Sequence, residues 1–265
     1  MTVFSNVCRV LLACVWTAIV GAPLLIALYA RYWYGLLRAR LGRSDVLDRI
    51  LEANAWLAGW VAQKFWTSVI LTLAGIQLRV REIVPIDWNK AYVICANHAS
   101  IFDILALVRS IPPPFRFVAK RELLKWPIIG WALRPAGQIV IDRADRARAL
   151  RLIAEAARRK IRGQVIFFVE GTRSRTGQLL PFKKGAFHFA LDNCLPVLPT
   201  AVRGSFATLA KLPWWRLRTG RQIEILFCGI IPPSVVADHD GAGAAEALLL
   251  AAREQIAGAL AAGEG

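Results

Sequence analysis

The sequence predicts an α/β domain, a mixed sheet flanked by helices, preceded by an N-terminal membrane-associated helical hairpin. Two observations carry this expectation. Val10–Ala30 is a run of 21 residues without a charge, enough at 1.5 Å per residue to match the roughly 30 Å hydrocarbon core of a bilayer. From Gln77 onward, short strand-like runs alternate with helical periodicity, the pattern of a sheet covered by helices. The chain therefore divides into residues 1–76, the membrane-associated helical segment, and residues 77–265, the α/β domain.

Composition narrows the function classes. The 265 residues are 56% hydrophobic, include ten tryptophans and carry a net charge of +16. High hydropathy with strong positive charge points to an anionic membrane surface or an anionic lipid substrate, not to nucleic acid. No zinc-finger, RNP or helix-turn-helix signature is present, and no nucleic-acid partner is expected. Cys8, Cys14, Cys95, Cys194 and Cys228 are scattered through apolar runs. They read as reduced core or membrane residues, neither a disulfide frame nor a metal site.

Taken in order, the first helix lacks a small-residue cleavage site before Arg31, which argues against a signal peptide. Arg31, Arg38, Arg40 and Arg43 follow it, whereas only Arg9 precedes it closely. The positive-inside rule then places the downstream domain in the cytoplasm, on the inner membrane if the source is bacterial. In-plane insertion is the alternative, with Trp16, Tyr29, Tyr32, Trp33 and Tyr34 as interfacial anchors. Residues 44–60 are helical in character. Phe65–Leu78 is a second apolar stretch, too short to span, that suits an interfacial helix beside the first. Trp56, Trp60 and Trp66 fall at helical spacing and suit a headgroup boundary. The expected strands are Gln77–Arg81, Tyr92–Ala96, Arg116–Ala119, Gln138–Ile141, Gln164–Val169, Val197–Arg203 and Gln222–Phe227. Ala144–Ile161 repeats apolar residues at helical spacing with arginines opposite, and Gly241–Gly265 is an alanine-rich terminal helix.

The stretch YVICANHASIFDILALV, Tyr92–Val108, holds the first chemistry. An apolar strand delivers Asn97 and His98 to a turn, Ser100 stands where a helix N-cap would, and Ile101–Val108 starts a buried helix. Asp103 in the first helical turns can reach the inner nitrogen of His98 and leave the outer one as a general base. By themselves these residues equally suit a turn histidine and an acid at a helix N-terminus. A second stretch, VIFFVEGTRS, ends a buried strand in a loop where α/β folds bind ligands. There Gly171 permits close backbone approach, and Arg173 offers a fork suited to phosphate. Glu170 can hydrogen-bond acceptor hydroxyls or hold Arg173. Arg175, Lys183 and Lys184 extend the basic patch on what reads as a surface loop.

Four stretches together resemble the motifs of the glycerolipid acyltransferase family, which contains the 1-acylglycerol-3-phosphate (lysophosphatidic acid) acyltransferases. Asn-His, four residues and Asp stand here as NHASIFD, Asn97–Asp103. The second motif resembles AKRELLKWPIIGWALRPAGQIVIDR, Ala119–Arg143, with Lys120, Pro127, Gly130, Gly137, Asp142 and Arg143 in place. The third is FVEGTRS, Phe168–Ser174, and the fourth LPVLPTAV, Leu195–Val202. All four follow the family order across roughly residues 75–230. Val169 departs from the pattern by standing where the family usually has proline.

The resemblance implies a membrane-bound enzyme that moves an acyl group from acyl-CoA or acyl carrier protein to the sn-2 hydroxyl of 1-acylglycerol-3-phosphate, giving phosphatidic acid. His98 would be the base and Asp103 its holder, with Lys120, Arg143, Glu170, Gly171, Thr172 and Arg173 binding substrate. Arg143 would meet the acceptor phosphate, and Lys120 the oxyanion or the donor's phosphates. The partners implied are a lysophospholipid acceptor, the acyl donor as co-substrate and membrane lipids; no other cofactor is implied. With no Gly-x-Ser-x-Gly elbow and no cysteine beside a histidine in a motif, direct transfer is favoured over an acyl-enzyme. Other readings are acylation of a different lyso-lipid, such as a lyso-ornithine lipid, a membrane esterase, or a non-catalytic membrane scaffold keeping the fold.

Overall fold

A computed structural model describes residues 2–127, 129–142, 163–209, 217–236 and 241–262 of the chain. The first helix is longer than its uncharged run: α1 spans Thr2–Arg40 and α2 spans Ser44–Val61. A π-helical turn, Ala62–Trp66, joins α2 to α3, Thr67–Leu73. The second apolar stretch is therefore the tail of one long helical arm, which ends at Leu73; Gln77 and Leu78 already belong to a strand. One helix, Phe4–Arg40, is long and apolar enough to cross a membrane.

The two arms pack side by side, and α1 is fastened along its length. The Asn6 amide donates to the Leu217 carbonyl at 3.0 Å, and the Arg9 guanidinium donates to the Leu73 carbonyl. Farther along, the Trp16 indole N–H donates to Phe65 O at 2.9 Å, and Asn54 donates to Leu28 O at 3.2 Å. Leu11, Val15, Ile19 and Ile26 lie exposed on α1 at helical spacing, an apolar stripe with no protein against it. Trp56 and Trp60 are exposed and stack at 6.4 Å. Trp66 differs from its sequence-based placement: it is half-buried and donates to the Thr17 hydroxyl at 3.0 Å.

All seven expected strands form, with bounds shifted by a residue or two: β1 Gln77–Glu82, β2 Val93–Ala96, β3 Phe115–Lys120, β4 Ile139–Ile141, β5 Gln164–Phe168, β6 Val197–Arg203 and β7 Gln222–Phe227. They make one sheet in the order β1-β7-β6-β2-β5-β3-β4. It is parallel except where β6 and β7 run antiparallel. The central strands are apolar on both faces, as parallel strands covered twice must be. Ile94, Ile166, Leu198 and Ile223 pack toward α4, Phe102–Ser110, and α3. Val93, Val165, Phe167 and Val197 pack toward α6, Gly185–Asp192, and α8, Gly241–Ala261. A short α5, Ile129–Leu133, and α7, Ser205–Thr208, complete the helices among the described residues. Gly130 admits no side chain, since a Cβ there would lie 2.2 Å from the Leu123 carbonyl. The expected helix over Ala144–Ile161 lies outside the described residues.

This topology decides where chemistry can sit. Parallel neighbours β2 and β5 pair Ala96 with Phe168, so the residues just beyond them, His98 and Glu170, emerge side by side at the carboxyl edge.

Candidate active site

The turn after β2 is built around one carboxylate. Asp103 is fully buried, and its Oδ2 lies 2.8 Å from His98 Nδ1. The same oxygen accepts the backbone N–H groups of Ala99 at 2.7 Å and Ser100 at 2.8 Å. Ser100 caps less than its position promised: its Oγ accepts the Phe102 N–H at 3.3 Å, while Asp103 gathers the turn's other donors. Asp103 Oδ1 is buried without a hydrogen-bond partner among the described residues. That carboxylate accepts the inner imidazole hydrogen, so the tautomer assigned from this contact has its lone pair on Nε2. The His98 side chain keeps 14% exposure, and no group among the described residues bonds its Nε2.

Asn97 fixes the other side of the turn. Its amide donates to Val202 O at 3.0 Å and accepts Val202 N–H at 2.7 Å, docking the turn onto β6. The motif's asparagine is thus a backbone mimic at the end of a strand.

The loop after β5 closes over His98. Glu170, 3% exposed, accepts the His98 N–H at 2.7 Å through Oε1 and the Leu180 N–H at 2.9 Å through Oε2. Burial pushes its carboxyl above the usual range, and the two N–H bonds partly oppose this. Each of its oxygens accepts one backbone N–H, and among the described residues it makes no ion pair with Arg173. The Ser174 N–H donates to His98 O at 2.7 Å. Gly171 adopts φ 73°, a left-handed conformation that a side chain would strain. Val169 uses what a proline lacks: its N–H donates to Ala96 O at 3.1 Å, extending the β2–β5 ladder by one bond.

Of the cations, Arg173 is half-buried in this loop, and no carboxylate among the described residues pairs with it. Thr172 is exposed beside it. Lys120 ends β3, one strand beyond β5, and its ammonium is held by Glu122 at 2.9 Å. Lys184 pairs with Glu246 at 2.7 Å. Arg143 lies outside the described residues.

An apolar cavity of about 180 Å³ opens between the helical arms, α4 and β3. Its walls are Val20, Gly21 and Leu24 of α1, Ala58 and Trp66 of the second arm, Ile104 of α4 and Phe115 and Phe117 of β3. Sequence reasoning gave Phe168 no role beyond opening the third motif. Its ring stacks on the His98 imidazole and leads to Phe117; at the end of an apolar strand it read simply as core.

Residues 76–203 match the acyltransferase family model. Over this segment, just under half of its length, the chain is similar to that family. The matched segment contains His98, Asp103, Lys120, Glu170 and Arg173, and the helical arms and residues 204–265 fall outside it. Among similar proteins, an uncharacterized acyltransferase of Schizosaccharomyces pombe is 34% identical, covering 62% of this chain and 57% of its own. The 1-acyl-sn-glycerol-3-phosphate acyltransferase of Saccharomyces cerevisiae is 34% identical over 55% of this chain and 49% of its own. That of Cocos nucifera is 41% identical over 46% and 40%. The chain thus spans about half the length of the curated relatives it matches. The crystal structure of the 1-acyl-sn-glycerophosphate (LPA) acyltransferase PlsC from Thermotoga maritima shares the acyltransferase fold. It superposes with a TM-score of 0.71 at 21% identity, covering 100% of this chain and 97% of that one.

Proposed function

We propose that the chain is a membrane-bound O-acyltransferase that acylates the sn-2 hydroxyl of 1-acylglycerol-3-phosphate, giving phosphatidic acid. The observation that carries this reading is the open Nε2 of His98, backed by buried Asp103, on a turn bonded through Ser174 to the loop that carries Arg173. His98 takes the acceptor's hydroxyl proton on Nε2 as the oxygen attacks the donor's thioester carbonyl. Asp103 holds the imidazolium that forms. The C–S bond then breaks, and the departing thiolate takes the proton back from His98, so the cycle closes with no acyl-enzyme. Arg173 holds the acceptor's phosphate in a charge-assisted pair. The apolar cavity suits an acyl chain, whose transfer from water is favourable by about 0.8 kcal/mol per methylene.

The membrane contact in this reading runs along α1. A helix of 39 residues is about 58 Å long, nearly twice the hydrocarbon thickness. Its N-terminal end bonds to the α/β domain through Asn6 and to the end of the second arm through Arg9, and its middle to the second arm through Leu28. A helix fastened at both places to one body lies in the plane of the interface with its apolar stripe toward lipid, and does not cross. The domain then rests on one face of the bilayer, and a net charge of +16 suits the anionic lipids of the cytoplasmic leaflet.

Purified protein given labelled acyl-CoA or acyl carrier protein with a panel of lyso-lipids tests the reading. Lysophosphatidic acid should be acylated fastest. Transfer to none of the acceptors from either donor overturns the enzyme reading, and preference for another head group reassigns the acceptor.

A further inference from the structure

Hydrogen bonding leaves one degree of freedom of the base unaccounted for. The Asp103 contact fixes the position of His98 Nδ1, but an imidazole held at one atom can still tilt its plane and swing Nε2. A flat surface against the ring removes that freedom. The His98 and Phe168 rings lie face to face, centroids 3.9 Å apart and planes inclined by 16°. Phe168 is itself backed by Phe117, stacked at 6.1 Å and 24°, and Phe117 meets Phe115 edge-on at 5.9 Å. Phe115 and Phe117 are walls of the apolar cavity. A column of aromatic rings therefore runs from the cavity to one face of the base. Phe168 is the last residue of β5, and its ring is only half-buried, so core packing alone does not account for its position.

We propose that Phe168 is a positioning residue for His98. It holds the imidazole plane so that Nε2 faces the acceptor hydroxyl, and its π face attracts the imidazolium once the proton has arrived. This inference rests on the reading of His98 as the base. The attraction between an aromatic face and a cation acts on the charged ring and hardly on the neutral one. It is therefore stronger in the transition state than in the resting enzyme and acts on kcat, leaving KM in place.

Phe168→Leu keeps apolar volume and removes the π face. It should lower kcat about three- to tenfold with KM for donor and acceptor within about twofold. Phe168→Tyr, which restores a stacking ring, should recover most of the lost kcat. The contact is also read without any turnover, by NMR of the full chain in detergent micelles. The His98 ring resonance, assigned by its loss in His98→Asn, should move downfield in Phe168→Leu as the shielding of the stacked ring is removed. Wild-type kcat in Phe168→Leu, an equal loss in Phe168→Tyr, or an unmoved resonance each overturns the proposal. If the wild-type protein acylates no acceptor, the function reading fails by itself, and the resonance still decides whether Phe168 holds the ring.

Discussion

His98 Nδ1 and Asp103 Oδ2 stand 2.8 Å apart across the turn between β2 and α4, and that one oxygen also gathers the N–H groups of Ala99 and Ser100. A single buried carboxylate thus sets the tautomer of His98 and shapes the turn that carries it. Asp103→Asn should lower kcat by about two to four orders of magnitude. His98→Ala should abolish turnover and leave membrane association unchanged. Single-turnover assays, with far-UV circular dichroism to verify the fold, check both; retained activity in His98→Ala removes the base assignment.

No carboxylate among the described residues pairs with the Arg173 guanidinium. A hydrogen bond to a charged group is worth about 1.5–3 kcal/mol, so Arg173→Ala should raise KM for lysophosphatidic acid roughly 10- to 100-fold. An acceptor without a phosphate should respond less than about threefold. Arg173→Lys should recover only part of the loss, because an ammonium cannot reproduce the planar fork. Steady-state kinetics with paired acceptors separate these outcomes.

The cavity gives a length-dependent test. Ala58→Phe places a ring among the walls formed by α1, Phe115 and Ile104. Each methylene it displaces costs about 0.8 kcal/mol, or roughly fourfold. Competition between long- and short-chain acyl donors should therefore shift toward the shorter chain. Unchanged preference places the acyl chain elsewhere.

Glu170 carries a pH signature. Its carboxyl is raised by burial and by the charge of Asp103, against the N–H groups of His98 and Leu180 and the charge of Arg253. A carboxyl raised in the folded state binds its proton more tightly there than in the unfolded chain. Its stability contribution is complete below the ordinary glutamate range, about pH 4.3, and is lost as pH rises through the raised value. The Tm of wild type relative to Glu170→Gln should accordingly be most favourable to wild type at acid pH and decline upward. Thermal scans of both proteins between about pH 4 and 8 check the sign; a gap that widens with pH contradicts it.

Much of this was legible because the signals were local. Seven apolar runs bounded by turn residues gave seven strands, and five residues of spacing placed Asp103 beside His98. What escaped depended on contacts distant in sequence. Glu170 carries its carboxylate to the backbone of His98, 72 positions away, and nothing in its own segment marks that partner. Phe168 looks like any core residue until β2 and β5 are aligned in register. Lys120, by contrast, has its ion-pair partner Glu122 only two residues on, where the sequence does show it. The long α1 exceeds its uncharged run because helices accept charge at their ends, where arginine can reach a carbonyl or water.

Both polar groups of the His98 main chain are taken by the loop that follows β5: its N–H by Glu170 and its carbonyl by the Ser174 N–H. The His98 turn and the loop that carries Arg173 therefore share one peptide grip and cannot loosen separately. In deuterated buffer the amide protons of His98 and Ser174 should exchange at a common rate, as one opening event. An acceptor that seats on the loop should slow both together, so its arrival would be recorded at the base before any bond is made.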